Sequence, residues 1–192
     1  NDSVYYDSGE YLPGASGMRI KVRGNSSALW AKKSFKIKLT KKADLFFRGD
    51  SKYKSKEWIL LNCPKLDLNT LVGFKVSEIL GMEWTPECRF VNLVINDDYR
   101  GVYVMTEAVE KDKGRINISD DGFVIEDDAY WWAEELYFKG NMLPDYEGYT
   151  FKYPDVEEIS DSLLEQIKDY VFAVEDRLLS HEDVGNYLDI ES

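Results

Sequence analysis

Two segments near the start of the chain alternate apolar and basic residues: Met18-Arg19-Ile20-Lys21-Val22-Arg23 and Phe35-Lys36-Ile37-Lys38-Leu39. A period of two is the side-chain period of a half-buried β-strand, and no helix keeps such residues on separate faces. Phe35, Ile37 and Leu39 face one way and Lys36 and Lys38 the other. Gly24-Asn25-Ser26-Ser27, between the two segments, breaks the pattern as a turn. Trp58-Ile59-Leu60-Leu61-Asn62 reads as a short buried strand. Arg89 to Ile95 and Tyr99 to Met105, flanking Asn96-Asp97-Asp98, read as a hairpin. Gly122 to Glu126 and Tyr149 to Tyr153 are two further strand segments.

Helical spacing appears twice. From Asp67, the residues Leu68, Leu71, Val72, Val76, Ile79 and Leu80 form an apolar face, with Asp67 or Asn69 as N-cap and Gly81 as the stop. Ser160 caps a second run carrying Leu163, Leu164, Ile167, Tyr170, Val171, Val174 and Leu178. The fold class is α+β: an antiparallel sheet, a helix crossing it, a connecting region and a C-terminal helix. The 192 residues, 44% hydrophobic and 14% aromatic, are enough for a real core. No apolar run approaches the ~20 residues that span a bilayer, so no membrane insertion is expected.

Charge divides the chain. Arg19 to Lys56 holds 13 basic residues against Asp44 and Asp50, a net +11, within a chain of net charge −12. Asp120 to Glu158 holds 12 acids and two lysines. The overall sign argues against nucleic acid as a partner. Residues 1–118 are expected to form a basic lobe and 119–192 an acidic connecting region with its helix. Such a basic lobe suits an anionic ligand, and two solvated faces of opposite sign is the plainer alternative. Cys63 and Cys88 sit in apolar stretches and read as buried free thiols, with a single disulfide as the alternative. Two cysteines and His181 cannot build a four-ligand Cys/His zinc site, and His181 lies at the polar end of a helix.

Several segments in order resemble one family. Arg23-Gly24-Asn25-Ser26-Ser27 with Lys32-Lys33-Ser34-Phe35-Lys36-Ile37-Lys38 resembles the RGNSS…KKxxxIK signature of the CotH (spore coat protein H) family of atypical kinase-like proteins. Trp58 to Asn62 with Asp67 resembles its W-x-L-x-A-N…D segment. Arg89-Phe90-Val91, Asn96 to Tyr103 and Thr106-Glu107 resemble its hairpin, and Gly114-Arg115-Ile116, Gly122 to Glu126 and Lys152-Tyr153-Pro154 continue the order. The resemblance implies the N-terminal lobe of a kinase-like fold that binds ATP with Mg²⁺ or Mn²⁺ and phosphorylates protein serine or threonine. It also implies an extracytoplasmic, cell-surface or spore-coat setting, with a protein substrate or a coat or surface partner.

On that resemblance, Arg23, Asn25, Ser26 and Ser27 are expected to cradle phosphate. Lys38 is the expected phosphate-contacting lysine, with Lys36 as its competitor, and Glu78 is expected to hold it in an ion pair. Glu107 lies where a kinase hinge begins and is assigned to the ribose or to the turn. Glu126 and Asp128, with Asp127 between them, are the expected metal-binding carboxylates. Two features depart from the family. Leu71-Val72-Gly73 stands where it usually has L-R-N. The W-D-x-D segment with its catalytic and metal-binding aspartates does not occur, and no Asn-x-Asp follows the last helix, so the chain reads as a nucleotide-binding half whose second lobe is truncated. The alternative function is a noncatalytic carbohydrate-binding, adhesion or coat-scaffold module, motivated by 13 Tyr and 5 Trp, with Trp131-Trp132 and Tyr146 to Tyr149 in loop-like stretches.

Overall fold

The computed structural model describes residues 3–62, 68–142 and 144–188. The chain divides into two compact units, Asn1–Asn117 and Ile118–Ser192. In the first, strands β1 (Met18–Arg23), β2 (Ser34–Ala43), β3 (Ser55–Asn62), β4 (Cys88–Ile95) and β5 (Asp98–Glu107) form an antiparallel sheet in the order β1-β2-β3-β5-β4. Helix α1 (Asn69–Ile79) lies in sequence between β3 and β4. This α+β arrangement, with a helix after the third strand, is consistent with the N-terminal lobe of a kinase-like fold. In the second unit, β6 (Val124–Asp128), β7 (Tyr137–Phe138) and β8 (Gly148–Tyr153) form a sheet in the order β6-β8-β7, and helix α2 (Asp161–Leu179) follows.

Strand alternation sets the core of the first unit. Ile37 pairs with Trp58 and Trp58 with Glu107, so their side chains share one face of the sheet. On that face Ile37, Leu39, Trp58, Leu60 and Tyr103 are buried, and Phe46 closes edge-on against Trp58 at 5.1 Å. The hairpin turns through Asn96 and Asp97 with φ of 50° and 60°. Two positive φ values are what a two-residue type I′ turn needs, and they explain how so short a link joins β4 to β5.

Helix α1 departs from the sequence expectation. Leu71, Phe74 and Ser77 are its half-buried residues, whereas Val72, Val76 and Ile79 stay 49–73% exposed, so the apolar stripe is not its covered side. Leu68 occupies the N-cap without a side-chain bond, Asn69 is the first helical residue, and Asp67 lies outside the described residues. Helix α2 matches its pattern. The Ser160 side chain accepts from Leu163 N, and Ile167 and Val171 are buried against Phe138. No helix among the described residues is long and apolar enough to cross a membrane.

Both helices end in the same way. Met82 N donates to Ser77 O and Gly81 N to Glu78 O after α1; Glu182 N donates to Arg177 O and His181 N to Leu178 O after α2. These are paired Schellman bonds, and the second forces His181 to φ 57°. The chain's one histidine is therefore a helix-terminating residue held where a β-carbon is unfavourable. His181→Gly should stabilise the second unit by about 0.5–1 kcal/mol in urea denaturation. A loss of stability would show that the imidazole makes a contact of its own.

Candidate functional site

The face of the sheet opposite the core carries the cations. Arg19 pairs with Lys38 and Lys38 with Glu57 across β1, β2 and β3, while Lys21 pairs with Lys36. These five side chains, with Ile20, line a cavity of about 420 Å³. Lys38 Nζ lies 3.2 Å from Glu57 Oε1, and Lys36 Nζ pairs with Oε2 of the same carboxylate. Burial alone would raise the Glu57 pKa, but Lys36 and then Lys38 outweigh it and hold the carboxyl below its usual range. Four cations against one carboxylate leave the cavity strongly positive, which suits a polyanion.

The Arg23–Ser27 turn continues this stripe. Arg23 closes β1 opposite Ser34, on the same face as Arg19 and Lys21. Gly24 follows with φ +100°, and a β-carbon there would lie 2.1 Å from Ser27 Oγ. Glycine is thus favoured by the backbone conformation, and the Ser27 hydroxyl folds back into the space it leaves. Ser26–Leu29 forms a single 3₁₀ turn whose cap, Asn25, makes no side-chain bond across it, and Asn25 and Ser26 are exposed. Several other motif residues act as fasteners for this turn. Asn62 Nδ2 donates to Lys32 O at 2.6 Å, Lys32 Nζ to Val102 O at 2.6 Å, and Lys33 Nζ to Ala28 O at 2.6 Å.

Glu78 and Glu107 lie elsewhere. The expected Lys38–Glu78 pair is not formed, because Lys38 is taken by Glu57 and Glu78 accepts from Lys75 one helical turn away at 2.7 Å. Glu107 faces the core side of the sheet. Its buried carboxylate accepts from Arg48 Nη2 at 2.9 Å and from Glu87 N at 3.0 Å, on the face of the sheet opposite the lysines. Arg115 completes this network: it donates to Ala108 O, Glu110 and Glu57 O, and its Nε lies 3.9 Å from Glu107. Gly114 allows the close approach, since a β-carbon there would meet Lys52 O at 2.1 Å. Sequence reading missed Arg19, Lys21, Glu57, Arg48 and Arg115. The first three could be found only from cross-strand register, and Glu57 is the first acid after the basic run.

Glu126 and Asp128 share one face of β6, but their chemistry is already engaged. Glu126 pairs with Lys152, and Asp128 accepts from Tyr130 N at 2.8 Å with Thr150 Oγ1 at 3.5 Å. Among the described residues, no group of three or more His, Cys, Asp and Glu gathers to hold a metal ion. These residues do not fit a protein-held metal centre. Cys88 is a free, half-buried thiol raised in pKa by burial and by Glu87, whereas Cys63 lies outside the described residues. The aromatic supply is partly structural. Trp131 packs on Tyr137 at 4.6 Å and Tyr149 on Phe138 at 5.1 Å, while Trp132 and Tyr146 remain exposed.

Carboxylates of the first unit and a phenol of the second respond to pH in opposite senses. In the first, burial opposes ionisation of Asp44 and Asp112, but bonds from Arg48 and from Lys42, respectively, outweigh it and lower both pKa values, as for Glu57. A lowered folded pKa gives stability that is present above the ordinary carboxylate range and lost as pH falls through the folded values. In the second, burial and then the Glu175 carboxylate, 3.0 Å from the Tyr149 hydroxyl, push that phenol up to about 12. A raised folded pKa gives stability that is complete below pH ~10 and lost as pH rises towards ~12. Urea denaturation across pH should show the acid loss in both the parent and Tyr149→Phe, and a smaller loss above pH ~10 in the variant.

The profile of a family described as CotH kinase protein matches residues 20–192. The chain belongs to the CotH kinase family. Membership makes the fold kinase-like and implies nucleotide and metal use in general. No curated protein matches the sequence. The matched span takes in the Arg23–Ser27 turn, the Arg115 network and the cationic face apart from Arg19.

Proposed function

We propose that this chain holds a nucleoside triphosphate, ATP with its Mg²⁺ or Mn²⁺, on the cationic face of the 1–117 unit. The bound nucleotide serves a kinase that phosphorylates protein serine or threonine. The observation that carries the reading is one cavity lined by Arg19, Lys21, Lys36 and Lys38 with Glu57 as the one acid in its lining. Phosphoryl transfer asks a protein mainly for positioning and positive charge over the phosphates, and this face supplies both. Arg23 and the Asn25-Ser26-Ser27 turn add a guanidinium, hydroxyls and N–H groups at the end of the stripe.

The divalent ion travels with the phosphates, since the described residues gather no cage for it. The transfer step, with its hydroxyl activation, is proposed for the chain as completed by a C-terminal lobe of the family. A spore-coat or surface protein is the proposed substrate, in keeping with the family's general association with spore coats.

Binding through phosphates sets a ranking: ATP should bind about tenfold more tightly than ADP, and adenosine should bind weakly. Calorimetric titration with the three ligands checks it. Adenosine binding as tightly as ATP would move the site away from this face.

A further inference from the structure

We propose that Glu57 is the positioning residue of the phosphate site, doing from strand β3 what a helix carboxylate does in ordinary kinases. This role rests on the nucleotide reading above. One carboxylate engages two lysines at once, Lys38 at 3.2 Å and Lys36 on the other oxygen, both from the neighbouring strand. The helix cannot supply the equivalent group here, because Glu78 is 64% exposed at its side chain and bound to Lys75.

The backbone at Glu57 is held on both sides. Its N–H donates to Ser55 Oγ at 3.0 Å, its carbonyl accepts from Arg115 Nη2 at 2.8 Å, and the next residue, Trp58, is fully buried. A free lysine loses substantial rotamer freedom when it fixes a phosphate. Lysines already held by Glu57 have lost that freedom before the ligand arrives, and the cavity still keeps a surplus of three positive charges over its one acid.

Simple electrostatics and positioning predict opposite signs, which makes the role testable. Glu57→Gln removes a negative charge beside the phosphates, so a purely electrostatic site should bind ATP more tightly. A positioning role predicts about tenfold weaker binding of Mg-ATP by calorimetry, partial recovery in Glu57→Asp, and no change in Glu78→Gln. A second readout needs no nucleotide. Amine acetylation followed by mass spectrometry should show Lys36 and Lys38 reacting several-fold faster in Glu57→Gln, and unchanged in Glu78→Gln.

Parent protein that binds ATP, together with a Glu57→Gln variant that binds it equally or more tightly, overturns the role while the nucleotide reading stands. Unchanged lysine reactivity in Glu57→Gln overturns it as well. Parent protein that does not bind ATP removes the nucleotide reading, and this role with it.

Discussion

Arg115→Ala should cost the 1–117 unit about 3–5 kcal/mol, the range for breaking a buried ion pair from one side. The guanidinium side chain is 2% exposed and stacks 5.3 Å from the Trp58 ring. Its loss leaves the carbonyls of Ala108 and Glu57 without their Arg115 donors and leaves Glu110 with the Ser55 hydroxyl but without its cation. Burial pushes the Arg115 pKa down, and Glu110 and then Glu107 oppose that shift. Arg115→Lys should fall between the two, because a lysine keeps the charge but not the planar fork that serves several acceptors. The exposed Lys75–Glu78 pair is the contrast, and Lys75→Ala should change stability by less than about 1 kcal/mol. Urea denaturation of the three variants checks the order, and an Arg115→Ala loss as small as that of Lys75→Ala would contradict the network.

Removing both Lys36 and Lys38 should weaken ATP binding by a factor of about a hundred or more. Hydrogen bonds involving charged groups contribute about 1.5–3 kcal/mol each, and each 1.4 kcal/mol is tenfold in affinity. Stability should change far less than affinity, since both lysines are partly exposed, at 31% and 52% of their side chains, and such pairs contribute at most about 1 kcal/mol. A calorimetric titration of Lys36→Ala/Lys38→Ala separates the two effects. An affinity within threefold of the parent would place the phosphates elsewhere.

Sheet elements were legible in the sequence wherever one face is dry and the other wet. Met18 to Arg23, Phe35 to Leu39 and the hairpin all alternate, and the structure extends them: β2 runs on to Ala43 and β3 begins at Ser55. Strand β7, two residues long, carries no pattern that could announce it. The site was legible in part. Lys36 and Lys38 stood out by type and period, but their partner did not, because Glu57 meets them only through strand register. The Lys38–Glu78 pair was illegible for the same reason: Lys38 meets Glu57 through strand register, and Glu78 meets Lys75 on its own helix. Glu107 was found by motif, yet its role depended on which face of β5 it takes, and the pairing with Trp58 puts it on the dry one.

Thermal-shift titration with ATP asks whether the cationic face of the first unit is a nucleotide phosphate site. The chain and its Lys36→Ala/Lys38→Ala variant are compared with and without Mg²⁺. At about 100 times the dissociation constant, ligand should stabilise the parent by roughly 2.7 kcal/mol, a shift of several degrees. A phosphate site on this face gives a saturable, metal-dependent rise in the parent and none in the variant. No rise in the parent, or an equal rise in both, would contradict it.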